Sequence, residues 1–439
     1  MLKKHPLLTG TIILTATGFI SRIIGFFYRI YLSRLFGEEG IGIYQLLSPV
    51  LALSFSLTAA GIQTAISKFV ASETSTGNYK YSLRVLLTGL VLSTSLSLLC
   101  MAFLLETSEY IATVFLMEPR TESMLRIVSL SLPLGAVHAC INGYFYGIKK
   151  AEVPAAAQLI EQICRVGSVF IVTSIATDKG ATPTINVAVL GLVIGEGISM
   201  IFTIIAAYKR FTTLSINCFS ESSKEPFSSM LKSLLALAIP LSLNRVIINF
   251  LQSIEAIYIP NRLLAYGYDT QTALSVYGVL TGMAIPLIMF PGALTNSVSV
   301  LLLPLVAEAD STGNRTLIKN AISKTIRYSI LLGSICMLIF LICGKPAGIY
   351  LFDSPLAGHF IMTLSFICPF LYLSSTLSSV INGLGKPSTV FIINVISLLI
   401  RLGFVFVAIP HVGISGYLWG LLASQMFTAA TFILYLKRG

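Results

Sequence analysis

The sequence predicts an all-α integral membrane protein of about twelve transmembrane helices in two six-helix lobes related by pseudo-twofold symmetry. Three observations carry that expectation. Hydrophobic residues make up 55% of the chain and charged residues 11%, with a mean hydropathy of +0.87, whereas soluble domains carry about 25% charged residues. Apolar runs such as 185–207, 360–380 and 390–409 recur from end to end, each long enough to cross about 30 Å of hydrocarbon as a helix. An internal repeat divides the chain into halves.

In order, spans are expected near 7–36, 41–71, 80–105, 122–148, 154–176 and 184–208, then near 230–264, 272–308, 317–343, 356–384, 388–409 and 412–436. The first follows Lys3 and Lys4 and runs through Arg22 and Arg29 without a small-residue cleavage site, so it reads as an uncleaved span rather than a signal peptide. Segment 110–117 is apolar but too short to cross and is expected in an external loop at the interface. The polar stretch around 209–232 reads as a linker. The expected organisation is an N-terminal lobe (1–210), a cytoplasmic linker (211–229) and a C-terminal lobe (230–439), with no room for an additional soluble domain.

The net charge of +11 is not a nucleic-acid signature, because Lys and Arg cap the ends of spans instead of forming one aromatic-studded patch. With the N-terminus inside, eighteen basic residues fall on the cytoplasmic side: Lys3, Lys4, Lys68, Lys80, Arg84, Lys149, Lys150, Lys209, Arg210, Lys224, Lys232, Arg315, Lys319, Lys324, Arg327, Lys386, Lys437 and Arg438. Six fall outside: Arg34, Arg120, Arg126, Lys179, Arg262 and Lys345. The positive-inside rule then places both termini in the cytoplasm. The seven cysteines form no CxxC pair and have no His partner at metal-ligand spacing, so they read as inert buried thiols and no metal site is expected.

The repeat is explicit. Residues 67–78 (SKFVASETSTGN) align with 303–314 (LPLVAEADSTGN), and Arg165-x-Gly167-x-Val169-Phe170 with Arg401-x-Gly403-x-Val405-Phe406, both at an offset of 236. Ile141-Asn142-Gly143 also recurs as Ile381-Asn382-Gly383, at 240. Six spans per half give the halves the same orientation, with the axis along the membrane normal and a cavity expected between two bundles.

A charge at mid-membrane costs about 2.5–3.5 kcal/mol on insertion scales and normally faces a cavity or a partner. The candidates are Arg22, Arg29, Arg165, Arg245 and Arg401 against Glu161, Glu196 and Glu255, with Arg34 and Arg262 near the outer edge. Arg22 and Arg29 lie two helical turns apart and share a face, as do Glu255 and Arg262. Arg22, Arg29, Arg245, Glu255 and Arg262 are therefore the expected substrate-binding set, a cationic groove for an anion such as a pyrophosphate. Glu161 and Arg165, at i and i+4, are expected to neutralise each other. His138 reads as an interhelical hydrogen-bond partner, and Arg401 as a residue with no acid in its own span. Pro49 and Gly61 in the second span and Pro286 and Pro291 in the eighth mark expected gates, where broken backbone lines a cavity; ordinary proline kinking is the alternative.

The segment 11–35, TIILTATGFISRIIGFFYRIYLSRL, followed by Gly37-Glu38-Glu39-Gly40-Ile41-Gly42-Ile43-Tyr44-Gln45 and Ala65-Ile66-Ser67-Lys68, resembles the stage V sporulation protein B branch of the polysaccharide exporter family. Gly143-Tyr144-Phe145-x-Gly147, with Pro154, Gln158, Glu161, Gln162 and Arg165, extends the resemblance. That branch is related to the MurJ lipid II flippases of the multidrug/oligosaccharidyl-lipid/polysaccharide superfamily. The resemblance implies a V-shaped pair of lobes, a cavity lined by the first, second, seventh and eighth spans, and alternating access for an undecaprenyl-pyrophosphate-linked saccharide. Ser21-Arg22-x-x-Gly25-Phe26 and Asn261-Arg262-Leu263 are similar to flippase signatures, so Arg22 and Arg262 inherit the pyrophosphate contact by resemblance. The region 43–56 lacks the Asp and Arg of the flippases' second span, and the eleventh span lacks the acid of a sodium site found in some relatives.

The expected function is a flippase for a lipid-linked peptidoglycan or spore-cortex precursor, with the bilayer and a coupling cation or the membrane potential as partners. No bond is made or broken, so no enzyme activity and no cofactor are expected. The rivals are a cation-coupled multidrug exporter of the same fold, a membrane glycosyltransferase and a non-transporting scaffold.

Overall fold

The computed structural model describes residues 6–75, 77, 79–214 and 227–438. Lys3, Lys4, Thr76, Asn78, Cys218 and Lys224, which enter the sequence reading, lie outside the described residues, as does 215–226 of the linker. Twelve helices among the described residues are long and apolar enough to cross a membrane. They are α1 (Ile12–Gln45), α2 (Leu47–Ser75), α3 (Tyr79–Glu106), α4 (Thr121–Gly147), α5 (Glu152–Asp178), α6 (Asn186–Thr212), α7 (Ser228–Tyr266) and α8 (Thr270–Met289), followed beyond Pro291 by α10 (Arg315–Phe352), α11 (Pro355–Gly383), α12 (Pro387–Val407) and α13 (Ile414–Lys437). Between α8 and α10 lies α9 (Gly292–Ser311), which completes the eighth expected span. The protein is thus a multi-pass, all-α membrane protein.

Two boundaries differ from expectation. Gly37 adopts φ 69°, and the helical segment after it runs on to Gln45, so the second span starts at Leu47 rather than near 41. A left-handed residue ends a helix without interrupting the chain, and glycine takes that conformation with no Cβ clash. Segment 110–117 is not loop: after Thr107 the chain resumes a helix at Ser108–Tyr110 and widens into a π-turn at Ile111–Phe115.

The repeat is written into the backbone as well as the residues. Gly77 and Gly313 (φ 81° and 66°), Met117 and Asp353 (52° and 54°), and Lys149 and Gly385 (59° and 70°) are left-handed pairs, each 236 residues apart. Corresponding helices therefore end at corresponding positions. Packing also corrects one alignment. A Cβ on Gly147 would lie 2.8 Å from the Ser67 carbonyl oxygen and 2.7 Å from the Val70 side chain; one on Gly383 would lie 2.8 Å from the Leu303 oxygen and 3.1 Å from Val306. Those partners are 236 apart, so the counterpart of Gly383 is Gly147, and the Ile-Asn-Gly match at 240 is one helical turn out of register.

Contacts divide the chain into two compact units, Met1–Gly25 with Leu46–Phe250, and Phe26–Gln45 with Leu251–Gly439. Helices α1 and α7 thus contribute residues to both. The core of the first unit is built from Ile66, Val70, Leu86, Tyr144, Phe145 and Leu234. Leu377, Ile381, Val390 and Phe432 form that of the second. In lipid there is little hydrophobic drive between helices, so close approach at small residues does the packing. In the second unit a Cβ on Gly42 would sit 2.1 Å from the Leu274 oxygen, and one on Gly278 2.3 Å from the Glu38 oxygen.

Gly278→Val should therefore overpack the α1–α8 contact and lower stability by about 1–3 kcal/mol. Gly167→Ala, which meets nothing within 4 Å, should leave it unchanged or slightly raised. Thermal unfolding of the two purified variants checks this, and equal midpoints would refute the packing argument.

Candidate functional site

The arginines of α1 have different surroundings. Arg22 is exposed, with no ion-pair partner among the described residues. Arg29 is half-buried, with the Tyr44 phenol in electrostatic reach and no carboxylate beside it. Arg34 is engaged. Its Nε donates to the Leu351 carbonyl at 3.0 Å and its Nη2 to that of Tyr350, so a guanidinium caps the C-terminus of α10, where the helix dipole favours positive charge. One turn later Glu38 accepts from Ser354 Oγ at 2.5 Å, and that hydroxyl accepts from the Ala357 N–H at the start of α11.

On α7, Arg262 lies 5.7 Å from the Tyr258 ring centroid and 5.1 Å from that of Phe406, and these rings pack 4.9 Å apart. Its buried Nε has no hydrogen-bond partner, and among the described residues no carboxylate pairs with it. Cation–π contact, on the order of 0.5–2 kcal/mol, fixes the guanidinium plane while leaving its N–H groups unclaimed. Arg245, lower on the same helix, is exposed and reaches Thr64 Oγ1 at 3.4 Å.

Glu255 departs from its expected role. It shares α7 with Arg262 but is 5% exposed, and both its oxygens are used inside the second unit. Oε2 takes Arg401 Nη2 at 2.5 Å, and Oε1 accepts from the Tyr417 hydroxyl at 2.8 Å. A carboxylate engaged at both oxygens ties α7 to α12 and α13. Arg401, without an acid in its own span, finds one on α7. Glu161 and Arg165 form the expected intrahelical pair.

The expected gates are breaks with compensated backbone. Pro49 is the third residue of its helix, where proline is tolerated, so it does not bend α2. The distortion falls later, in a π-turn at Ser56–Ala60 just before Gly61. There Ser93 of α3 donates to the Thr58 carbonyl at 2.7 Å, and Asn249 of α7 to that of Ala52 at 3.1 Å. Gly61 lets α7 approach: a Cβ would lie 2.6 Å from the Ala238 oxygen. In the eighth span a π-turn at Val279–Ala284 precedes Pro286, and Pro291 separates α8 from α9. Tyr372 of α11 donates to the Ile288 carbonyl at that break, at 2.7 Å. Pro291 stands 236 residues after Phe55, so the two breaks occupy the same place in the repeat.

The sequence does not mark Tyr258, Phe406 or Tyr417 as site residues. Two signals were available: Tyr258 is four residues before Arg262 on the same face, and Phe406 closes the repeated Arg-x-Gly-x-Val-Phe motif. Nothing in the sequence marks Tyr417.

A family described as polysaccharide biosynthesis protein matches residues 7–310, and one described as MatE matches 262–407. Stage V sporulation protein B of Bacillus subtilis (strain 168) is 28% identical over 415 residues, covering 94% of this chain and 80% of that protein. Lipid II flippase MurJ of the same organism is 22% identical over 427 residues, covering 91% and 76%. Among solved structures, a lipid II flippase MurJ in an inward closed conformation superposes with TM-score 0.74 at 16% identity, covering 97% of this chain and 87% of that one. An inward-facing multidrug resistance MATE family transporter of the MOP superfamily superposes with TM-score 0.70 at 16% identity, covering 97% of both.

Removing one member of the buried pair strands the other charge. Glu255→Ala should destabilise the protein by on the order of 3–5 kcal/mol, and the apolar double variant Glu255→Leu/Arg401→Met should recover most of it. Unfolding midpoints of single and double variants measure this; an undiminished loss in the double variant would mean that the pair is not the cause.

Proposed function

This chain belongs to the polysaccharide biosynthesis protein family; we propose that it is a membrane transporter of the MOP superfamily and a flippase for a saccharide carried on a lipid pyrophosphate. The reading rests on one observation. Four arginines of α1 and α7, Arg22, Arg29, Arg245 and Arg262, have no carboxylate partner among the described residues, while two of the membrane acids, Glu161 and Glu255, are paired with other arginines. The unclaimed charge in the spans is positive and suits an anionic head group. A guanidinium matches phosphate oxygens with two parallel N–H bonds, and Arg262 is already held in plane for such a contact.

In this mechanism the arginines hold the pyrophosphate, the polar sugar crosses inside the protein and the lipid tail stays in the bilayer. No covalent bond changes. The broken helices α2 and α8 bend as the protein alternates between inward and outward access, since π-turns and prolines weaken the ladder there. The cargo is a cell-wall or spore-cortex precursor of the lipid II type, in keeping with the stage V sporulation and MurJ relatives. A cation-coupled exporter of cationic drugs is the second reading, favoured by the MatE match over 262–407; the arginine surplus would repel such a cargo.

Arg22→Ala and Arg262→Ala should each reduce translocation of a lipid-linked saccharide in proteoliposomes at least tenfold, without loss of folded protein and without change in drug tolerance of cells. Retained translocation in both variants would remove the arginines from the site, and a loss of drug tolerance alone would favour the exporter. We also place both termini in the cytoplasm, on the asymmetry of basic residues. A C-terminal green fluorescent protein fusion should then be fluorescent and a C-terminal alkaline phosphatase fusion inactive; the reverse pattern would invert the topology.

A further inference from the structure

In the first unit α3, α4 and α6 enclose an apolar groove of about 610 Å³. Its floor is buried, at Leu86, Ile141 and Ala207, and its rims are exposed, at Leu87, Val91 and Tyr208. Apart from Thr94, Ser95 and the Tyr208 hydroxyl, the lining is hydrocarbon. Lipid tails cover every apolar face of a membrane protein, but a groove with a floor and two rims surrounds a single tail on three sides.

One end of the groove is polar and basic. On α3, Lys80, Arg84, Leu87 and Val91 stand at i, i+4, i+7 and i+11, so two bases continue the stripe that forms the rim. On α4, Val137, Ile141 and Tyr144 stand at i, i+4 and i+7, and the Tyr144 ring lies 5.4 Å from that of Phe211, which lines the groove. The Arg210 guanidinium donates to the Tyr144 hydroxyl, with the Tyr79 phenol in electrostatic reach. The Nε of Arg210 is buried with no hydrogen-bond partner. Arg84 and Lys209 have contacts of their own, whereas Lys80 and Arg210 pair with no carboxylate among the described residues.

Charge at this end is one-sided. The ends of α3, α4 and α6 bring Lys80, Arg84, Lys149, Lys150, Lys209 and Arg210, while the acids nearest in sequence among the described residues, Glu73 and Glu152, belong to α2 and α5. Basic side chains at a membrane surface attract anionic lipid, and a guanidinium suits a phosphate. The repeat does not require the arrangement: the residues 236 positions after Lys80, Val91 and Tyr144 are Thr316, Arg327 and Val380, so a charge replaces an apolar rim residue and the phenol is lost. The arginines assigned above to the cargo lie on α1 and α7, which contribute no residue to the groove. The tail of the cargo's carrier is therefore not its expected occupant.

We propose that the groove binds one anionic glycerophospholipid, with an acyl chain between α3, α4 and α6 and the phosphate on Lys80 and Arg210. Anything that binds only the folded state raises its unfolding temperature, so the probe is the full-length protein in a neutral detergent, titrated with phosphatidylglycerol or with phosphatidylcholine of the same acyl chains. Phosphatidylglycerol should raise the midpoint by a few degrees more than phosphatidylcholine. High salt should shrink that difference, since screening weakens the phosphate contact but not the burial of the chain.

The double variant Lys80→Gln/Arg210→Gln should respond to the two lipids alike. If it does not yield monodisperse protein, Lys80→Gln alone should cut the difference by about half. Ser95→Trp, which fills the groove from an exposed position, should raise the phosphatidylglycerol concentration needed for half the shift severalfold. Lys319→Gln, an exposed base on α10 of the second unit, should change nothing. Equal responses of the parent to both lipids, a preference kept in Lys80→Gln, or the same loss in Lys319→Gln would overturn the site. Stabilisation by undecaprenyl phosphate but not by phosphatidylglycerol would overturn it too, by giving the groove to the carrier's tail. Since no cargo is present, failure of the flippase reading leaves the result standing, and working translocation without a lipid preference defeats this proposal alone.

Discussion

Hydrocarbon offers no hydrogen bonds, so every polar group the spans carry must find its partner inside the protein. The Glu255–Arg401–Tyr417 contact is the strictest instance. An acid on α7, a base on α12 and a phenol on α13 are joined in a site where the carboxylate is 5% exposed. Each group is tolerable at that depth only because the other two are there. The same rule governs the backbone: where α2 opens into a π-turn and where α8 stops at Pro291, side chains of neighbouring helices donate to carbonyls at or beside the break.

That constraint explains why the two halves have kept their geometry more faithfully than their residues. The left-handed residues that end helices recur at 236 although one pair is Met117 and Asp353 and another Lys149 and Gly385. The glycines where α4 crosses α2 and α11 crosses α9 recur as Gly147 and Gly383 because a carbonyl oxygen stands where a Cβ would go. Side chains facing no such limit have diverged.

Much of the fold was legible in the sequence because its signals are one-dimensional. Apolar length fixes a span, and the positions of Lys and Arg suggest its direction. The misplacements fell where a local conformation overrode length: left-handed Gly37 moved the start of α2, and the segment after Thr107 stayed helical though too short to cross alone. The site was legible only within single helices. Spacing found the Glu161–Arg165 pair, and spacing by four residues would have found Tyr258 beneath Arg262. Glu255, by contrast, was grouped with Arg262 because they share a helix face, when its partners come from α12 and α13. Contacts between helices 146 and 162 residues apart leave no periodic trace.

The divergence of the halves carries the functional argument further than their likeness does. A strictly symmetric pair of bundles would carry the same charges in both halves. Here the repeated arginine has been given two different acids: Arg165 takes Glu161 from its own helix, next to a histidine and a second glutamate, while Arg401 takes Glu255 from α7 and has serines at the positions corresponding to Glu161 and the histidine. In the second half the charge is closed off, and the acid that closes it belongs to the helix that also presents Arg262. In the first half one negative charge is left over, on helices that carry none of the four unclaimed arginines. The unclaimed arginines and the surplus acid thereby lie on different helices of the chain.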